Sequence, residues 1–199
     1  MKLTHRPLRT AVVAAAAGAV AMSVAVTGPA QATTQVSKPS FELLSAADMP
    51  PAETAWRAGP VEQGAGGDRF CVETLIPDAG SVHRRFHTDL ETGGNQIVHE
   101  APSVREARKL TRELREAVEN CAERYAKQYP EAEVNERDHG RVHAIHTALP
   151  EFSHDVNMFG LARSGKRVTL VEWGRIGKLE DAPVRDFKRT LRTAVDKLR

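Results

Sequence analysis

The sequence is short of cysteine, of aromatic rings and of long apolar runs, and each shortage closes a route. Only Cys71 and Cys121 are present. No cysteine follows the N-terminal apolar stretch, which closes the lipoprotein route. No later segment is apolar enough to span a bilayer. There is no internal repeat and no long low-complexity tract. No serine sits in a Gly-x-Ser-x-Gly elbow, and Gly64-Ala65-Gly66-Gly67 lacks the Lys-Ser/Thr that would make a phosphate-cradling loop. With two tryptophans, two tyrosines and six phenylalanines, Trp56 and Trp173 are needed for the core, or else line a cleft.

What is present at the N-terminus reads as an export signal. Lys2, Arg6 and Arg9 form a positive region, Ala11 to Val26 is uncharged, and Gly28-Pro29 ends the run. Ala30-Gln31-Ala32 is a small-x-small cleavage site, so residues 1–32 are expected to be removed before Thr33. The 28 basic and 26 acidic residues then become 25 and 26, and the net +2 becomes −1. The basicity belongs to the signal, so nucleic acid and anionic membranes are not indicated as partners. A secreted chain results, with a polar, flexible segment at 33–41 and one domain over 42–199. In an oxidising compartment the two cysteines are expected to pair, the alternative being two free thiols.

Along the domain, Ser45-Ala46-Ala47-Asp48 predicts a short capped turn stopped by Pro50-Pro51. The Gly/Pro-rich run from Trp56 to Gly67 reads as loop, and Arg69 to Ile76 as a strand carrying Cys71. Val82–Leu90 and Gln96–Ala101 flank a turn at Glu91-Thr92-Gly93-Gly94-Asn95. Ser103 and Glu106 form a capping box. Val104, Ala107, Leu110, Leu114, Val118, Cys121, Ala122 and Tyr125 then recur at helical spacing. Strands are predicted over Arg141–Leu149, Asp155–Arg163 and Lys166–Trp173. Asp181-Ala182-Pro183 opens a last helix with Val184, Phe187, Leu191, Ala194, Val195 and Leu198 inward. The fold class is α+β: an antiparallel sheet, packed on one face by the long central helix and the C-terminal helix, with one disulfide.

Seven histidines lie beyond the signal, but their spacing does not suit a metal. His143 and His146, three apart on a strand, point to opposite faces. His139 and His143, or His83 and His87, would be about 13 Å apart, against about 3.5 Å for two ligands of one zinc. His99-Glu100 is followed by Pro102, which forbids a zincin helix. No catalytic residue, cofactor or metal is therefore assigned.

Taken in order, several motifs resemble the PknH-like extracellular sensor domain. They are Leu43-Leu44-Ser45-Ala46-Ala47-Asp48-Met49-Pro50, Trp56, Cys71, Gln96-Ile97-Val98, Ser103-x-x-x-Ala107 with the helix ending in Cys121, and Ala162-Arg163-x-Gly165-x-x-Val168. The resemblance covers Glu42 to Arg199 and implies an antiparallel sheet flanked by helices, with a cleft for an unidentified ligand and no catalytic residues. The kinase ectodomain of that family has two disulfides where this chain can form one. The expected function is a secreted, non-catalytic binding or sensor-like domain, with Trp56 or Trp173 at the cleft. Its partner would be a small molecule, a cell-envelope component or a protein. The alternatives are a secreted hydrolase using a spatial Glu/His pair and a protein-interaction domain.

Overall fold

The structure, a computed structural model, describes residues 41–67, 69–150 and 154–199. The predicted signal peptide and all of the 33–41 segment except Phe41 lie outside them. Among the described residues no helix is long and apolar enough to cross a membrane.

Among the described residues, eight antiparallel strands form one sheet: β1 (Arg57–Ala58), β2 (Glu62–Gln63), β3 (Ser81–His87), β4 (Gly93–Glu100), β5 (Glu133–Asp138), β6 (Val142–Ala148), β7 (His154–Ser164) and β8 (Arg167–Ile176). The order across the sheet is β1-β3-β4-β8-β7-β6-β5, with β2 also paired to β3. The helices are α1 (Val104–Glu119), α2 (Cys121–Gln128) and α3 (Val184–Asp196). The α+β class and the Cys71–Cys121 disulfide hold.

The helices do not share a face. Because side chains alternate along a strand, β7 sends Phe159 and Leu161 into one core with Leu110, Leu114 and Val118 of α1. It sends Val156, Met158 and Ala162 into a second core with Phe187, Leu191 and Ala194 of α3. The expectation of a one-sided sheet is corrected accordingly. Strand β6, next to the edge strand β5, is buried at every position, its alternate side chains entering the two cores.

Local rules explain most elements. Ser103 caps α1, its Oγ accepting from the Glu106 amide at 3.1 Å; the reciprocal bond of a capping box is not made, and Glu106 pairs with Arg105 instead. The predicted single helix is broken at Asn120 (φ −92°, ψ 4°), and Cys121 opens α2. The region 69–76 is not a strand. It coils into consecutive turns, with Glu73 N bonded to Arg69 O at 2.8 Å and Cys71 and Glu73 at positive φ. The disulfide, closing a sequence separation of 50 residues, thus ties a loop to the start of α2. The β3–β4 turn also lies earlier than expected, at residues 88–92, closed by Thr88 N to Thr92 O at 3.0 Å. Gly93, Gly94 and Asn95 belong to β4. Glycine is required at 94, where a Cβ would stand 2.5 Å from the Met49 methyl and 3.0 Å from Glu172 O.

Candidate functional site

On the α1 face, the rows of the sheet under α1 carry apolar side chains, and the next rows change character. Asn95 of β4, Glu172 of β8 and Phe159 of β7 stand side by side in register. In the row beyond, Gly93 pairs with Gly174, and Gly174 with Asn157. Two adjacent glycines leave the sheet bare there, and neither α1 nor α2 fills the space. The result is a cavity of about 560 Å³. Its floor is formed by this polar row, and Phe70 and Tyr125 are its wall. Their rings meet edge-on at 5.7 Å between centroids. They also border a second cavity of about 540 Å³ that runs to the disulfide, so the Cys71–Cys121 bond holds both members of the shared wall.

Glu172 is the unusual group of the floor. It is half-buried, and what surface it keeps opens into the cavity. Asn95 Nδ2 donates to its Oε2 at 3.1 Å, and among the described residues no arginine or lysine makes an ion pair with it. Desolvation raises its pKa to about 7, against the smaller opposing effects of the Asn95 hydrogen bond and the Arg69 charge. The Oδ1 of Asn95 is buried without a hydrogen-bond partner. Burial also raises the pKa of Tyr125, against a smaller lowering effect from Thr147.

The two tryptophans are placed differently. Trp173 borders the cavity, but it is only 3% exposed and belongs to the α3-side core. Trp56 is half-buried against that same core, its Nε1 donating to Pro50 O at 2.6 Å, and it does not border the cavity. Asn95, Asn157 and Glu172 are the functional candidates that sequence reasoning missed.

Among solved structures, the chain is similar to the extracellular domain of PknH from Mycobacterium tuberculosis. The TM-score is 0.46 and the identity 8%, over 77% of this chain and 98% of that one. The likeness is one of chain path, at an identity that transfers no residue's role. No protein-family profile matches the sequence, and no curated protein matches it.

The histidines are spread over both faces. His143 meets Glu136 at 2.9 Å on the α1 side, while His146 stacks on His154 on the other. His139 lies in the β5–β6 turn beside α3, not on a strand with His143. His83 bonds Gly64 O at 3.0 Å. His99 and Ser81 are buried and 2.9 Å apart, which resembles a nucleophile–base pair. The polarity is wrong, however. The Ser81 hydroxyl gives its one proton to Pro77 O, so it accepts from His99 Nδ1–H. Burial holds the His99 pKa below its ordinary value. This pair is structural.

Proposed function

We propose that the chain is an exported, sensor-like domain that binds a small molecule in the cavity floored by Asn95, Asn157 and Glu172, without transforming it. The observation that carries this reading is the cavity itself. Its volume falls within the roughly 300–1,000 Å³ of small-molecule sites, and it combines aromatic walls with a few convergent polar groups. The disulfide supports export to an oxidising compartment. A hydrolase would need a histidine beside a carboxylate in the pocket. Among the described residues, the two histidine–carboxylate contacts, His143–Glu136 at 2.9 Å and His83–Glu62 at 3.6 Å, lie away from this cavity, and no histidine borders it.

Gly93 offers a clean test. A Cβ there meets nothing closer than Phe86 O at 4.0 Å, so Gly93→Phe can fill the cavity without a clash in the backbone. Ligand-observed NMR with a fragment set is expected to find binders of the wild type that the variant loses at an unchanged or higher melting temperature. Fragments that bind both proteins equally, or an absence of binders, would refute the site.

A further inference from the structure

Resting on that reading, we infer that the cavity selects organic cations, a protonated primary amine on an apolar body, with Glu172 as the counter-ion. Charge is the first ground. Among the described residues, the cavity is bordered by three carboxylates, Glu91, Asp155 and Glu172, and one cation, Arg175. Arg175 is committed elsewhere: its Nη2 bonds Glu53 at 3.1 Å and its Nε the Ile176 carbonyl at 3.0 Å. An anion would meet more carboxylates than cations there, Arg69 on the neighbouring loop being the other cation that acts on Glu172.

Ring geometry is the second ground. Phe70, Tyr125 and Phe159 border the same space, and the negative faces of aromatic rings attract an ammonium group. An apolar body would lie against these rings while the nitrogen reaches the floor.

The third ground is what the carboxylate lacks. Glu172 accepts one hydrogen bond, from Asn95, and a carboxylate has room for about four. An ammonium brings three donors and a full positive charge to a poorly solvated anion, where such a bond is about twice as strong as a neutral one. The groups that face Glu172 from its surroundings are Arg69 on the 69–76 loop, Glu91 in the β3–β4 turn, Asn95 on β4, Asp155 and Asn157 on β7, Tyr125 on α2 and Arg175 on β8. Burial raises the pKa of Glu172 to about 7. Amine binding therefore displaces a proton from it below that pH.

The experiment uses the full chain and three probes of one shape: benzylamine, benzyl alcohol and benzoate, titrated by NMR at pH 8 and pH 5.5. At pH 8 the wild type is expected to bind benzylamine roughly tenfold or more tighter than benzyl alcohol, with benzoate weakest. That advantage is expected to shrink severalfold at pH 5.5, where Glu172 is protonated and benzylamine is still charged. Glu172→Gln is expected to bind benzylamine no better than benzyl alcohol at either pH. The pH arm tests the idea on the unmutated protein, independent of how the variant folds. An amine advantage that is absent at pH 8, or that survives Glu172→Gln, overturns the cation assignment while alcohol binding leaves the cavity reading standing. Failure of every probe to bind the wild type overturns both.

Discussion

Replacing Glu172 by glutamine should stabilise the protein above neutral pH, a direction opposite to that of most substitutions in a sheet. Glutamine keeps the shape and can still accept the Asn95 hydrogen bond seen at 3.1 Å. The folded-state pKa of about 7 lies above the ordinary carboxylate value of 4.5. Between those pH values the native state holds a proton that the unfolded chain has released, so wild-type stability falls as pH rises, by about 1.4 kcal/mol per pH unit. Across the window of about 2.5 units the loss sums to about 3 kcal/mol, and it is flat above pH 7. Glutamine has no proton to lose. The two proteins should therefore match at pH 4 and differ by about 3 kcal/mol at pH 8. In a domain of this size that corresponds to a melting temperature roughly 6–12 °C higher for the variant. Urea melts of both proteins at half-unit pH steps would measure it. A difference that does not change between pH 4 and pH 8, or a wild type that is the more stable at pH 8, would refute the argument that Glu172 is a desolvated acid.

Other expectations concern the frame of the site. Cys121→Ser opens a 50-residue loop and should lower stability by about 4 kcal/mol in the chain-entropy account, read from denaturant melts under oxidising conditions. At Gly160 a Cβ would stand 3.1 Å from Leu191 Cδ1 and 3.2 Å from Phe187 Cε1. Gly160→Val should thus push α3 off the sheet and cost about 1–3 kcal/mol, visible as selectively raised hydrogen exchange in α3. The mature N-terminus should be Thr33, which intact-mass analysis of culture supernatant decides; a full-length chain found only in membranes would contradict it.

The frame of the fold was legible because periodicity records burial. The stripe at Ala107, Leu110, Leu114 and Val118 and the one at Phe187, Leu191 and Ala194 are buried as read. Val104, at the first turn of the former, is 43% exposed, since the helix has not yet reached the sheet. Periodicity does not say which face of a sheet a helix takes, so the two-sided layering was not legible. The strand β5 was missed because its sequence, Glu-Val-Asn-Glu-Arg-Asp, is exposed save for a half-buried Val134 and carries no apolar alternation. The 69–76 region misled in the opposite way: its apolar residues suit a strand, but Val72 and Ile76 enter the core from a coiled loop. The floor of the cavity was hidden for two reasons. Asn95 and Glu172 are 77 residues apart, beyond any local pattern. Gly93-Gly94-Asn95 also has the composition of a turn, whereas here the glycines allow close approach within a strand.

The edges of the sheet bear on how the chain behaves at high concentration. At one edge β5 presents Glu133, Glu136, Arg137 and Asp138, charges that disfavour the addition of a strand from another molecule. The other edge is guarded by cover instead. Two strands of only two residues each, β1 and β2, lie on the two ends of β3, and Gly59 N adds a bond to Arg85 O at 2.9 Å. Proteolytic nicking within residues 57–63 would bare the long edge of β3 and turn it into a template for strand exchange between copies, so self-association in an aged sample should begin at this edge and track cleavage there.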